Sequence, residues 1–415
     1  MNYPRSAYVH IPFCYRRCFY CDFPIIPLGD KASDKSGQAS LSINSYLDLL
    51  FREIASSPKG YPLATIYIGG GTPSLLSPNQ VSVLLAKLRS HFGFQDGAEI
   101  TIEMDPASFE KQDLIDFLEA GITRVSLGAQ SFDDLVLQKI GRKHTARELL
   151  DSCKWIQDSF KKGDLASWSL DLIQNLPEQN LTSWQKELSN ALKAYPPHLS
   201  IYDLSIEPGT VFEFKQRKGE LFLPDENLAF EISQLTNSFL NKAGFSRYEI
   251  SNFSLPGHSS RHNRAYWSGS GWWGFGQGAT SCPWGIRFAR PRDLEGYRKW
   301  VEEQEINAVE ISLDFANAKP IDLDELLIVG LRRREGVDLE ELSEMWGWNA
   351  CQSRTYFEKL KRRWKKAIDS GLMEQLGQRF FLVNPKGMDM SNQVFVEVIL
   401  WWESLPKAAL AQPTL

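Results

Sequence analysis

Cysteine is scarce in this chain of 415 residues, which has six. That is too few for the disulfide framework of a secreted scaffold. Long hydrophobic runs are missing as well: no stretch approaches the roughly 18 consecutive apolar residues of a spanning helix. The richest late run, Val394 to Trp402, is short and is broken by Glu397. The reading is therefore of a protein not integral to a membrane. Neither sign of charge dominates, with 46 Lys+Arg against 51 Asp+Glu and a formal charge of −5. This even balance argues against nucleic acid or an anionic membrane as the main partner. The start, MNYPRSAYVHIPFC, lacks a basic region followed by an apolar stretch and a small-residue cleavage site. A cytoplasmic location is expected.

What is present is an ordinary globular composition, 43% hydrophobic and 23% charged, with length for two or three domains at roughly 150 residues each. Short β-rich runs alternate with helical stretches through the first half. Strands are expected at Ala7–Pro12, Thr65–Ile68, Glu99–Glu103, Arg124–Leu127, Ser167–Ile173 and His198–Ser205, with periodic helical segments between them. Repeated strand-then-helix units imply an α/β fold with a parallel sheet, here a partial (β/α)6 barrel over residues 1–215. Residues 216–310, rich in Gly, Trp, Ser and Phe in their later part, read as an appended β-rich segment. Residues 311–405 read as a helical, winged-helix-like domain and 406–415 as a frayed tail. Ligands of parallel α/β folds bind beyond the carboxyl ends of the strands, so the polar and glycine residues just past each strand should converge on one mouth.

The cysteines are unevenly placed. Cys14, Cys18 and Cys21 stand together as C-x3-C-x2-C in HIPFCYRRCFYCDF, directly after the first strand, while Cys153, Cys282 and Cys351 stand alone. Three thiolates on one loop can hold three irons of a [4Fe-4S] cluster and leave the fourth iron without a protein ligand. Zinc would want a fourth ligand, for which Asp22 or His10 is available, but the paired Cys or Cys/His arrangement usual for zinc is absent. The three isolated cysteines read as small buried hydrophobes.

The C-x3-C-x2-C string after an initial strand resembles the signature of radical S-adenosylmethionine (SAM) enzymes. In that superfamily SAM chelates the open iron and one electron from the cluster cleaves its sulfonium to give a 5′-deoxyadenosyl radical. The strings YVHIPFC, YIGGGTPS, SLGAQSF, GRKH, SLDLI and IEPGT are similar, in order and spacing, to one family within it. This family contains oxygen-independent coproporphyrinogen III oxidase and heme chaperones of the HemW type, and the likeness runs from Tyr8 to at least Val383. It implies that Tyr8, Gly70, Gly71, Thr72, Glu103, Gln130, Arg142 and Asp171 contact SAM, and that Tyr20 occupies an aromatic position assigned to a second SAM in the oxidase. NLPEQN at 175–180 and EPGTVF depart from the common forms.

Two features favour the chaperone branch. The oxidase type has a further cysteine two residues after the third, where this chain has Asp22 and Phe23, and it has a long extension before the cluster strand, where seven residues precede Tyr8. A third is His262-Asn263-Arg264-Ala265-Tyr266-Trp267, an HNxxYW string that resembles the heme-associated motif of the chaperones. An imidazole can ligate heme iron while Tyr266, Trp267, Trp272 and Trp273 offer flat apolar surface, although a histidine among aromatics is also an ordinary core residue and His258 is an alternative imidazole. The expected function is a heme chaperone that binds heme, the cluster and SAM and hands heme to an acceptor protein, which could be membrane-bound, with a one-electron donor. Oxidative decarboxylation of coproporphyrinogen III and a heme-storing or heme-sensing module are the alternatives. The basic run Lys359, Lys361, Arg362, Arg363, Lys365, Lys366 reads as a solvated helix face rather than a nucleic-acid contact.

Overall fold

The computed structural model describes residues 4–30, 38–307 and 319–410. Six parallel strands follow one another across a single sheet: β1 (Ser6–Ile11), β2 (Leu63–Gly70), β3 (Phe94–Met104), β4 (Arg124–Gln130), β5 (Ser167–Gln174) and β6 (His198–Asp203). The chain crosses back between them through α1 (Gln38–Ser56), α2 (Pro78–Phe92), α3 (Lys111–Glu119), α4 (Ala146–Lys162) and α5 (Leu181–Lys193). Local chemistry sets the helix ends. The Ser77 and Thr145 hydroxyls accept from the amides of Gln80 and Glu148, whose side chains reach back to the cap amides, and Gly163 ends α4 in the left-handed conformation.

Alternation along the strands sorts residues between two environments. Ala7, Val9, Ile11, Ile66, Ile68, Ile102, Val125, Leu127, Leu170 and Leu199 join Leu47, Leu50, Leu84, Leu88, Leu149 and Leu188 of the helices in one buried apolar core. The intervening positions are polar and share the opposite face, because in-register partners of a parallel ladder point the same way. One such row runs Tyr8, Tyr67, Thr101, Arg124, Ser167 across β1 to β5. Another runs Glu103, Ser126, Ser169, His198 across β3 to β6. The barrel interior is thus built from hydroxyls, imidazoles and charges, not from the layered aliphatics of a closed barrel.

The expected β-rich segment contributes to both edges of this sheet. Trp273–Phe275 pairs in parallel with β1, and Asn252–Ser254 pairs antiparallel with β6 and then with Ser246–Glu249. The same stretch of chain contains α6 (Glu226–Lys242) and a short helix α7 (Arg261–Trp267), neither of them expected from the sequence. The outer edge beyond Trp273 is occupied by side chains: Gly274 N donates to Ser281 Oγ, Gly276 N to the Glu53 carboxylate and Gln277 N to Tyr46 Oη. At the opposite edge Glu249 is bridged to Arg333. Glu53 is a hub, since Arg290 and the Tyr297 hydroxyl also donate to it.

Helices Leu323–Leu331, Leu339–Trp346, Ala350–Asp369 and Ser391–Glu403 and a three-stranded sheet of Val337–Asp338, Met373–Leu376 and Arg379–Leu382 form a second core around Trp346, Trp364, Phe380 and Trp401. The expected boundary at 310/311 lies outside the described residues. Of the tail expected to fray, 411–415 are outside them too, whereas Lys407–Leu410 is a helical turn whose Ala409 carbonyl accepts from the indoles of Trp346 and Trp348.

Beside the Glu249–Arg333 bridge, the Arg264–Glu335 pair and the bond from Arg334 N to Tyr248 O, one buried carboxylate fastens this second core to the barrel. Asp389 accepts from Arg247 Nη1 at 2.5 Å, Ser233 Oγ at 2.8 Å and Gln234 Nε2 at 2.9 Å, with the Arg247 and Asp389 side chains only 7% and 2% exposed. Removing one member of such a pair strands the other charge away from water. Asp389→Ala is expected to cost about 3–5 kcal/mol in urea unfolding, and a loss below about 1 kcal/mol would show that the pair does not fasten the two parts.

Candidate functional site

Beyond β1 the chain folds back on itself. Ile26 N donates to Pro12 O at 2.7 Å and Leu28 N to Cys14 O at 2.8 Å, closing a loop that holds all three clustered cysteines. Arg17 ties the loop internally, donating to Cys21 O at 3.1 Å and Phe23 O at 2.9 Å. Phe19 N and Arg16 Nε fix it to the segment after β4, donating to Ile140 O at 3.0 Å and Gly141 O at 3.1 Å. Cys14, Cys18 and Cys21, each partly buried, line one cavity of about 470 Å³. Burial pushes the thiols of Cys14, up to about 12, and of Cys21 upward, so without a metal they stay protonated; the Thr72 hydroxyl, 3.5 Å from Cys14 Sγ, acts in the opposite sense.

The glycines after β2 are required by this packing. A Cβ on Gly71 would stand 2.6 Å from the Phe13 carbonyl oxygen and 2.8 Å from Cys14 Sγ, and Gly70 has a φ of 118° beside the His10 ring. The loop is thereby pressed against the first thiol, and Gly70, Gly71 and Thr72 all line the cavity.

Glu103, Gln130, Arg142, Asp171 and Tyr20 line it too. Glu103 accepts from Tyr67 Oη and Gly70 N, both at 2.9 Å, yet burial outweighs these bonds and raises its carboxyl to about 7. Asp171 accepts from Ser126 and Ser169 hydroxyls at 2.7 Å each. Gln130 ends β4 at a bulge with a φ of 62°. Arg142 donates to Asp105 at 2.6 Å and to Gly128 O at 2.8 Å, with Nη1 3.8 Å from Cys18 Sγ. Asp105 was not singled out from the sequence, although it stands two residues past Glu103, just beyond the end of β3; Tyr202 at the end of β6 also lines the cavity.

Tyr8 does not line this cavity. It is one row deeper in the barrel, bonded through its hydroxyl to His10 Nδ1 at 2.9 Å and stacked on Tyr67. The residues of the HNxxYW string stand at the other end of the barrel. His262 is 1% exposed; Thr65 Oγ1, near the start of β2, is 2.8 Å from its Nδ1, and its ring stacks on Tyr67 with Tyr266 edge-on. Its Nε2 is buried without a partner, and burial, then the Arg124 charge, lowers its pKa to about 3, so it is neutral. Asn263 N is held by the Ser260 cap and Trp267 lies under Arg332. His258 instead bonds Ser167 at 3.0 Å. The thiols and His262 are separated by the length of β2 from Thr65 to Gly70, about 16 Å at the rise of a parallel strand.

Among the described residues no three His, Cys, Asp or Glu groups gather around a single metal ion. Thiolates that each take a separate iron of a cluster must stand farther apart than three on one ion, and an all-sulfur donor set lining a cavity is of the kind that suits iron–sulfur chemistry. The carboxylates of Glu103 and Asp171 with the Arg142 guanidinium could hold a ligand that carries cationic and anionic groups together, as SAM does.

The arrangement of parallel barrel, thiol loop and glycine turn defines the class: residues 8–187 match the family model of the Radical SAM superfamily. Curated relatives resolve it further. The chain is 37% identical to a heme chaperone HemW of Synechocystis sp., covering 94% of this chain and 95% of that protein. It is 33% identical to heme chaperone HemW of Lactococcus lactis subsp. lactis, over 96% and 98%. The chain therefore belongs to the HemW heme-chaperone family of radical SAM proteins. In fold it resembles coproporphyrinogen III oxidase (HemN) of Escherichia coli, a radical SAM enzyme, with a TM-score of 0.76 at 22% identity over 96% of this chain and 90% of that one.

Glu103 gives the site a pH signature. Its value in the fold, about 7, is above the ordinary 4.5, so between these the folded protein holds a proton that the unfolded chain has released. The stability it contributes is present below the lower value and is lost as pH rises through the upper one. The melting temperature of Glu103→Gln relative to the parent should accordingly climb between about pH 5 and about pH 8. A flat difference across that range would show that Glu103 ionises normally.

Proposed function

We propose that this chain is a heme carrier that holds a [4Fe-4S] cluster and SAM at the carboxyl end of its barrel and passes heme to an acceptor protein in the cytoplasm or at its membrane. The observation that carries the reading is the set of three cavity-lining thiols beside Gly70, Gly71, Thr72, Glu103 and Asp171. The names of the relatives, heme chaperones over nearly the whole length of the chain, support the cargo. When bound, the cluster would supply one electron to the sulfonium of SAM.

In this reading the chain's own groups bind and orient. Cys14, Cys18 and Cys21 ligate three irons, and Thr72 donates to the first sulfur. The Arg142 guanidinium offsets the negative charge near Cys18, and Asp105 holds that guanidinium in place. Glu103 and Asp171 receive the polar groups of SAM, with Gln130 at the rim and Tyr20 as the aromatic wall. Tyr8, one row down, stacks on Tyr67, whose hydroxyl donates to Glu103. The residue after Asp22 is Phe23, 52% exposed at the cavity wall, where the oxidase type has a further cysteine. This favours a carrier over an oxidase. His262, Tyr266 and Trp267, with Asn263, are read as the heme-associated segment; direct ligation through the enclosed His262 Nε2 would require α7 to withdraw from the barrel end.

The test is anaerobic reconstitution and reduction, followed by addition of SAM with coproporphyrinogen III and, in a parallel sample, of SAM with heme. Heme loading without decarboxylated product supports the carrier; stoichiometric decarboxylated product overturns it in favour of an oxidase. Replacing Cys14, Cys18 or Cys21 by Ala should each reduce reconstituted iron several-fold, whereas Cys351→Ala, at an exposed position, should keep it. Equal iron in all four variants would remove the cluster from this loop.

A further inference from the structure

A second cleft, of about 600 Å³, opens at the end of the barrel opposite the thiols, where β1 and β2 begin. Its wall carries Arg5, Arg261, Arg264 and Arg333 together with Tyr61 and Thr65. These arginines come from three distant stretches: the entry to β1, successive turns of α7, and the segment after Leu323–Leu331. Their partners do not fully balance them: for four guanidinium groups there are Glu335 and Glu341 near Arg333, and Glu99, which accepts from Arg261 N at 3.0 Å. Glu335 takes Arg264 at 2.8 Å; Arg261 spends one nitrogen on the Gly97 carbonyl at 2.7 Å; Arg5 lies over the Tyr61 ring at 5.6 Å. Arg333 Nη2 donates to Gly336 O at 3.4 Å, while its Nε is buried with no hydrogen-bond partner. Burial, joined by the nearby charges of Arg264 and Arg379 against the carboxylates of Glu335 and Glu341, holds its guanidinium below the ordinary arginine value. Positive charge gathered in excess in a concave site, with unspent planar donors, suits carboxylates, which a guanidinium binds through two parallel hydrogen bonds.

We infer that this cleft is the docking site for the two propionate carboxylates of heme, with Arg261, Arg264 and Arg333 as the binding residues. The assignment rests on the carrier reading above and adds to it where the cargo is held. Two carboxylates on one edge of a flat apolar macrocycle match guanidinium groups distributed along a cleft beside the exposed Tyr61 ring. The helix that presents Arg261 and Arg264 is the one that carries His262, Tyr266 and Trp267.

The experiment titrates the full chain with hemin and, separately, with hemin dimethyl ester, which has the same ring and iron and no free carboxylates. The parent should bind hemin at least about tenfold more tightly than the ester. Arg264→Gln combined with Arg333→Gln should lose that preference while ester binding and reconstituted iron stay as in the parent. Arg261→Gln, at an exposed position, gives a second reading that does not touch the Glu335 pair and should reduce the preference in part. Variants that keep the full preference would overturn the cleft and leave the carrier reading standing. A parent that binds hemin and ester equally would do the same. A parent that binds neither would remove both.

Discussion

Parallel hydrogen bonding among β1 to β6 is the constraint on which the remaining structure depends. Each strand must be followed by a return crossing, so every strand ends at the same side of the sheet and every turn beyond a strand end opens there. Cys14, Gly71, Glu103, Gln130, Arg142 and Asp171 are far apart in the chain and meet in one cavity for that reason. The same rule separates the ends of the barrel. Residues at strand starts, such as Ser6 and Thr65, belong to a different surface, the one that carries Arg5, Arg261, Arg264 and Arg333.

Between the two ends the interior is polar, which has energetic consequences. Arg124 is buried with Nε and Nη2 unpaired, and its charge, after burial itself, lowers the pKa of His198, His258 and His262. Three neutral imidazoles around a buried cation are a costly arrangement that a core of aliphatic side chains would avoid. Contacts nevertheless run unbroken from end to end. Thr65 bonds His262, His262 stacks on Tyr67, and Tyr67 donates to Glu103 in the cavity wall.

Much of the mouth was legible in the sequence because its chemistry is local. C-x3-C-x2-C and Gly69-Gly70-Gly71-Thr72 are short strings whose residue types are demanded by their immediate packing, as the 2.8 Å approach to Cys14 Sγ at Gly71 shows. The six parallel strands were equally visible, since alternating apolar residues mark each of them. What escaped depends on distant pairings. That Trp273–Phe275 and Asn252–Ser254 complete opposite edges of one sheet is decided by partners hundreds of residues away or on another strand, which no local pattern records. Helix α6, with Asn237 and Thr236 among its buried residues, lacks a clean apolar face. Asp105 reads as an ordinary residue before Pro106 until Arg142 folds onto it, and the depth of Tyr8 and the enclosure of His262 are properties of the assembled barrel alone.

The edges of the sheet carry a last consequence. An exposed strand edge is a template on which another chain can add a strand, and long parallel sheets are prone to aggregate that way. Here the amides beyond Trp273 are consumed by Ser281, Glu53 and Tyr46, and the opposite edge is bridged to Arg333. Strand addition is closed off on both sides. A second protein that meets the barrel sheet must therefore recognise side chains, on helices or at the barrel ends, and can leave again without unzipping a ladder of backbone hydrogen bonds; the small sheet of the second core differs, ending on the strand Met373–Leu376.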